Sequence, residues 1–177
     1  DHGHPLLLGP ILIPAPPSAE QTTAMLGRAG HLSQSLRVHG GTAVVDCGRA
    51  SPASAAWTLV VSADVVVLVT RPRLDHVQHA SWQLGALRGE RSPVVIALVG
   101  SRPYPASEVA AALDTPVAAV IADDAPTAEH LPRLALDRTT LRTPLVRSAQ
   151  TLVVAVHRLA GADTEPSTHP SVEGAGR

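Results

Sequence analysis

Residues 64–72 read Asp-Val-Val-Val-Leu-Val-Thr-Arg-Pro, and this stretch decides the fold class of the chain. Its centre is apolar at every position, without the alternation that marks a strand with one face in water. Strands that are apolar on both faces are typical of parallel sheets covered by helices. The apolar run that contains it, residues 59–70, is about half the roughly 20 residues that a membrane-spanning helix needs and includes Asp64. The stretch therefore predicts a buried strand over residues 64–70.

Other apolar runs on both sides of this strand alternate with segments of helical periodicity. Short runs predict further strands over residues 42–45, 94–99 and 117–121, and an interrupted strand over residues 6–13. Apolar residues at helical spacing predict helices from Ser18, a capping residue, to Gly40, over residues 74–88 and 107–113, and from Thr143-Pro144 onward. The apolar side of the helix over residues 74–88 is formed by Leu74, Val77, Ala80, Leu84 and Leu87. This alternation predicts right-handed βαβ crossovers, and hence an α/β three-layer sandwich with a mostly parallel sheet.

Length and composition limit the chain to one domain and exclude several kinds of site. At 177 residues and 45% hydrophobic content, residues 1–160 are expected to form one domain, followed by a disordered tail over residues 161–177 that is rich in Gly, Ser, Thr, Pro and Glu. A net charge of -1 gives no strong signal for nucleic acid or an anionic membrane. The single cysteine excludes an internal disulfide and favours a reducing compartment, so we expect a cytoplasmic protein.

The basic residues exclude one further motif. All 14 of them are Arg and none is Lys. A phosphate-binding P-loop needs a Lys that reaches the β- and γ-phosphates, and the guanidinium of Arg does not replace that point charge. The chain therefore contains no complete P-loop.

Polar residues follow each predicted strand, where ligands bind in doubly wound sheets. They are Asp46, Gly48 and Arg49, then Thr70, Arg71 and Arg73, then Gly100, Ser101 and Arg102, and finally Asp123 and Asp124. The arginines could hold phosphate oxygens, and Asp46 could hold Mg²⁺ through water or orient an attacking water. Ordinary loops contain the same residue types, because Asp often ends a strand by accepting a hydrogen bond from the next turn. Both interpretations stay open at this point.

Other potential sites have weaker patterns. His76 and His79 are three residues apart on a predicted helix, a spacing that could share a metal, but no further ligand pattern accompanies them. Cys47 has no His partner in the sequence and is interpreted as a small buried residue. Two Trp and one Tyr are too few to stack the bases of single-stranded nucleic acid.

The order of these segments resembles one known family, the MinD/ParA ATPases. Residues 42–48, Thr-Ala-Val-Val-Asp-Cys-Gly, resemble the strand and D-x-G of the family's switch II, and residues 63–72 resemble its next strand, A-D-x-v-l-v-v-t-x-P. Residues 121–124, Ile-Ala-Asp-Asp, resemble its I-P-x-D loop, with Ala122 where Pro is usual. Residues 143–149 resemble the s-P-x-x-x-A start of its last helix. The similarity runs from about residue 6 to residue 159.

The resemblance implies a P-loop NTPase-like fold that binds ATP and Mg²⁺ between two protomers. It places Asp46 near Mg²⁺ and the catalytic water, Gly48 near the γ-phosphate and Asp124 near the base or ribose. Arg102 is also implied as a nucleotide-binding residue. It follows Gly100-Ser101 where the family often has Asn-Arg, a departure that concerns adenine recognition.

The leading hypothesis is that the chain is the C-terminal part of a MinD/ParA-like ATPase whose P-loop lies upstream of Asp1. Such a protein would act as a nucleotide-dependent positioning switch in chromosome partitioning, septum placement or related cell organisation, as a possible homodimer with protein partners. ATP hydrolysis is not expected from this chain alone. The alternative is a non-catalytic pseudo-ATPase that serves as a scaffold or regulatory protein-binding module. A third interpretation is an unrelated flavodoxin- or receiver-like domain. A receiver would need a Lys late in the chain, and this sequence has no Lys.

Overall fold

The structure is a computed structural model that describes residues 4–5, 11–14, 16, 18–38, 41–49, 51–131 and 139–162. The strands are β1 (His4–Pro5), β2 (Ile11–Leu12), β3 (Val66–Thr70), β4 (Val94–Val99) and β5 (Val117–Ile121). The helices are α1 (Ala19–Leu26), α2 (Ala29–Val38), α3 (Trp57–Ser62), α4 (Leu74–Leu87), α5 (Ala106–Leu113), α6 (Ala125–His130) and α7 (Pro144–Ala162), with a 3₁₀ helix at Thr140–Arg142. None of the helices in the described ranges is long and apolar enough to cross a lipid bilayer.

The centre of the fold is a parallel sheet with the strand order β3-β4-β5. Val66 is paired with Val94 and Thr70 with Leu98, while Val99 is paired with Ile121. α4 connects β3 to β4 and α5 connects β4 to β5, so each connection is a helical crossover between parallel neighbours. The predicted α/β class with a parallel sheet is confirmed.

The hydrophobic core lies between β4 and the two crossover helices. Ile96 and Leu98 have no exposed surface and pack with residues of α4 and α5. Val95 and Ala97, whose side chains alternate onto the other face of the strand, are also buried. Because both faces of β4 are covered, its sequence is apolar without interruption, as expected for a buried strand of a parallel sheet.

α7 covers β5 and supplies the last large apolar surface. It packs against β5 along a half-buried side whose members recur at helical spacing. That side consists of Leu145, Ala149, Leu152, Val156 and Ala160, as predicted. The helix ends at Ala162, and most of the segment predicted to be a disordered tail, residues 163–177, lies outside the described residues.

Residues 42–45 do not form the predicted strand. Residues 42–48 carry no regular secondary structure, and Val44 is 93% exposed. In the described part of the chain, β3 is paired only with β4, and no strand pairs with its other edge. Residues 42–45 are therefore not paired with the sheet. A β-branched run becomes a strand only when it packs and pairs, and that condition is not met here. The predicted strand over residues 6–13 falls largely on residues that are not described, and its end forms β2, antiparallel to β1.

Two helix predictions also need correction. The single helix predicted from Ser18 is interrupted at Gly27, whose N–H donates to Thr23 O, and a new helix, α2, begins at Ala29. The predicted cap at Ser18 is present, because its Oγ accepts a hydrogen bond from Gln21 N at 3.1 Å. Leu74 is 70% exposed instead of buried, because it is the first residue of α4 and lies just beyond the carboxyl end of β3, outside the layer of the sheet.

Candidate functional site

The loops that follow β3, β4 and β5 meet at the carboxyl edge of the sheet. A groove of about 530 Å³ lies there, lined by residues 100–102, by Val120 to Asp123 at the end of β5, and by Ser148 of α7. This is the position at which ligands bind in open α/β sheets. The groove is the candidate site, and its walls come from three different elements.

Gly100 fixes the loop after β4. Its φ of +86° lies in the region that glycine adopts without a steric penalty, and its N–H donates to Ile121 O at 2.9 Å. This hydrogen bond ties the loop to the end of β5, so Ser101 and Arg102 are held at the groove. Gly100 was noted from the sequence as a departure from the family pattern, but its backbone conformation was not predicted.

Ser148 anchors the other wall. Its Oγ accepts a hydrogen bond from Ala122 N at 3.0 Å. The same hydroxyl lies 2.8 Å from Leu145 O and 2.9 Å from Pro144 O, to either of which it can donate. The first turns of α7 therefore hold the loop after β5 in place. Ser148 was not among the residues predicted from sequence, because nothing in its own sequence context indicates a contact with a residue 26 positions away.

Arg71 and Asp123 form a bidentate ion pair across this edge. Arg71 follows β3 and Asp123 follows β5, and their nitrogen–oxygen distances are 2.6 and 3.2 Å. The hydrogen bond from Arg71 lowers the pKa of the Asp123 carboxyl, and the same bond raises the pKa of Arg71. The sequence analysis placed both residues at this edge, and the structure brings them together.

Of the predicted binding residues, Arg102 lines the groove, whereas Asp124 directly follows the lining residue Asp123 and does not line it. Arg102 is exposed and has neither an ion pair nor a hydrogen bond with any residue of the described part. Asp124 caps α6, where its carboxylate accepts hydrogen bonds from Thr127 N at 3.2 Å and Thr127 Oγ1 at 2.7 Å. Its side chain is therefore used in the local fold, and a contact with a base or ribose stays a prediction.

Asp46 and Gly48 lie in the exposed segment that follows α2. The Oδ1 atom of Asp46 accepts a hydrogen bond from Gly48 N at 2.8 Å, and Gly48 has a φ of +56°. The observed contact of Asp46 is therefore that of a turn residue, which is one of the two interpretations that the sequence left open. No hydrogen bond or ion pair between described residues joins Asp46 or Gly48 to the loops after β3, β4 and β5. Burial raises the pKa of the neighbouring Cys47 thiol, and the negative charge of Asp46 adds to that effect.

The described residues contain no group of three or more His, Cys, Asp or Glu side chains that could hold a metal ion together. His79 instead stacks on Trp82, with ring centroids 6.3 Å apart. Asp46 keeps Oδ2 without a partner among the described residues, and Mg²⁺ is often bound by only one or two carboxylates together with substrate phosphates. The carboxylate of Asp46 therefore suits a magnesium ion that is also bound by the phosphates of a substrate better than an ion held by protein groups alone.

Comparison with known proteins gives one structural match. No family model matches the sequence, and no curated protein does. Among solved structures, the chain is similar to a ParA family ATPase from Chlorobium tepidum TLS, with a TM-score of 0.65 and 19% sequence identity. The fold is ParA-like. The similarity covers 84% of this chain but 63% of the other, so the chain spans less than two thirds of that ATPase.

The ParA-like fold accounts for the parallel sheet and its helical crossovers, and it is the fold of a P-loop ATPase. At 19% identity the likeness concerns the fold. The relation to MinD proteins and the phosphate-binding loop stay predictions.

Proposed function

We propose that this chain forms the base-side part of a MinD/ParA-like switch that binds ATP and Mg²⁺. The observation that carries the proposal is the groove at the carboxyl edge of a ParA-like sheet, whose lining includes the side chains of Arg102 and Asp123. Arg102 is the free cation of that groove among the described residues, and it would contact the nucleotide. Asp124 would approach the base or ribose with its backbone, because both oxygens of its carboxylate accept hydrogen bonds from Thr127.

The phosphate end of the site would require residues outside this sequence. The sequence has no Lys, and the Lys of a P-loop is the group that reaches the β- and γ-phosphates. The edge of β3 is consistent with a further strand, because β3 is paired only with β4 within the described ranges. This chain alone should therefore not hydrolyse ATP.

Asp46 would serve the metal and the catalytic water. One of its oxygens accepts from Gly48 N, which fixes the direction of the carboxylate and leaves the other oxygen for water or for Mg²⁺. Gly48, with no side chain and a positive φ, would allow a γ-phosphate to approach its backbone. Bound Mg²⁺ would supply positive charge to the phosphate oxygens.

In the cell, such a switch would position chromosomes, septa or related machinery through nucleotide-dependent association, as a homodimer with protein partners. The single cysteine suits the reducing cytoplasm in which it would act. These roles follow from the family resemblance. The groove itself supports only the proposal that a nucleotide binds.

Isothermal titration calorimetry tests the nucleotide part. ATP and ADP with Mg²⁺ are titrated into this chain and into the longest polypeptide that its gene encodes. We expect the longer polypeptide to bind, and Asp46→Ala to weaken its binding of Mg²⁺–ATP. Asp64→Ala is the matched control, because Asp64 is an exposed aspartate just before the amino end of β3, 3.4 Å from Arg37. Absence of binding by both polypeptides would refute the proposal.

The second candidate is a pseudo-ATPase scaffold that binds other proteins and no nucleotide. The absence of Lys from the sequence and the Gly100-Ser101-Arg102 loop favour it. It predicts that the longest polypeptide is folded, does not bind ATP or ADP, and retains its protein partners after Asp46→Ala. Calorimetry and circular dichroism on the same samples distinguish the two candidates.

A further inference from the structure

The ion pair between Arg71 and Asp123 crosses the end of β4. The two residues follow β3 and β5, which are separated by two strand spacings, about 9.5 Å, and the long Arg side chain spans most of that distance. Gly100 lies next to the pair, since a Cβ added to Gly100 would lie 4.0 Å from the Asp123 Cβ. Asp123 lines the groove and Arg71 does not, so the pair forms the wall of the groove on the β3 side.

The charged side chains near this groove differ in whether they have a partner. The Asp123 carboxylate is paired with Arg71 through both oxygens, and the Asp124 carboxylate caps α6. Arg102 has no charged partner among the described residues. Asp124 does not line the groove, so the lining presents one free cation, Arg102, beside one carboxylate, Asp123, that is already paired with Arg71. This arrangement favours an anionic ligand over a neutral or cationic one.

We propose that Arg71 is a positioning residue whose bridge to Asp123 compensates the carboxylate on the groove wall and so allows an anionic nucleotide to bind. This inference rests on the nucleotide binding proposed above and adds the residue that sets the charge of the site. Without Arg71, the Asp123 carboxylate would stand unpaired beside the ligand and repel its phosphates. Arg71 itself need not touch the nucleotide.

A purely stabilising role does not account for the pair. The side chains of Arg71 and Asp123 are 45% and 51% exposed, and exposed ion pairs contribute little to stability because water and salt screen them. Its effect is therefore expected on the charge that a ligand meets and not on the folding of the chain.

A charge cycle on the longest polypeptide that the gene encodes tests the inference, with Mg²⁺-free ADP and adenosine as probes. Arg71→Ala should weaken ADP binding about three- to tenfold at low salt and leave adenosine binding unchanged, because only ADP carries charge. Adding Asp123→Asn to Arg71→Ala should restore the ADP affinity, and 0.5 M salt should reduce the loss. Arg73→Ala is the matched control, since Arg73 lies in the same loop but is paired with Asp75 at 3.4 Å, away from the groove.

The possible results are separable. Equal weakening of ADP and adenosine by Arg71→Ala would indicate a structural role and overturn the inference, as would a failure of Asp123→Asn to restore binding. An equal effect of Arg73→Ala would show that only the net charge of the loop matters, and would overturn it as well. If the unsubstituted protein binds neither ADP nor adenosine, the proposed function fails and the inference fails with it.

Discussion

Replacing Ser148 with alanine should loosen the loop that forms one wall of the groove. Ser148 Oγ is the acceptor for the part-buried N–H of Ala122, and it also donates within α7. Alanine removes the acceptor and leaves the N–H of Ala122 without a hydrogen-bond partner between β5 and α7. Thr151→Ala is the matched control, because the Thr151 hydroxyl is exposed and bonds only to Arg147 O in its own helix, at 3.4 Å.

Two opposing terms set the size of the effect. A buried N–H that loses its partner costs about 1–3 kcal/mol. Alanine in place of Ser148 gains up to about 0.5 kcal/mol of helix propensity. Because the N–H of Ala122 is only part-buried, the cost for a fully buried group is an upper limit, and the expected loss of unfolding free energy is about 0.5–2.5 kcal/mol. Thr151→Ala should cost nothing or gain up to about 0.7 kcal/mol, because only the propensity term remains.

Urea denaturation and thermal melting of this chain measure the difference between the two variants. For a chain of this size, each kcal/mol corresponds to about 2–4 °C in Tm. Amide hydrogen exchange gives the local readout, because Ala122 N–H should exchange faster in Ser148→Ala and at an unchanged rate in Thr151→Ala. If both variants are equally stable and the protection of Ala122 does not change, Ser148 does not hold this loop and the geometry of the groove wall is misjudged.

Four further outcomes are expected. Gly100→Ala should destabilise the chain by about 1–2 kcal/mol in urea denaturation, because alanine is strained at a φ of +86°. Ile96→Ala should cost about 2–5 kcal/mol, since its side chain is fully buried, whereas Val69→Ala on the exposed edge should cost less than about 1 kcal/mol. Cys47 should react with iodoacetamide at pH 8.5 more slowly than an unhindered cysteine, because its pKa is raised and less thiolate is present, and Asp46→Asn should speed the reaction. Val69→Lys should change the stability of this chain by no more than about 0.5 kcal/mol, yet destabilise the longest encoded polypeptide if additional structure packs on that face of β3; equal small effects in both would show that this face stays exposed.

The buried strands could be predicted from sequence because their residues determine their own environment. Residues 94–99 are apolar throughout, and such a run is compatible only with cover on both faces, which β4 has. Strands also formed over residues 117–121 and most of residues 64–70, but their cover is incomplete, since Val120 is 40% and Val69 64% exposed. The helices after β3 and β4 were predictable because their apolar residues recur at helical spacing. The short helices α3 and α6 were not predicted.

The candidate site could be predicted only in part. The topology of a parallel sheet brings residues after successive strands to one edge, so the sequence indicated where Arg71, Arg102 and Asp123 would lie. It could not indicate which charged groups would pair, because that depends on side-chain geometry across β4. The contact of Ser148 with Ala122 was missed for the same reason, since it depends on how α7 packs against β5.

The failure at residues 42–45 is of a different kind, and it bears on what the chain lacks. A β-branched run reports a segment that suits a pleated, partly buried surface, and it does not by itself supply the neighbouring strand. Val44 is 93% exposed, and β3 has an unpaired edge within the described residues. The described part of the fold therefore contains a strand-like segment and a strand edge that both have no pairing partner there. Exposed apolar edges of this kind favour pairing with another strand. A single additional parallel strand would give β3 its second neighbour, and the backbone N–H and C=O groups along that edge of β3 would be its hydrogen-bond partners.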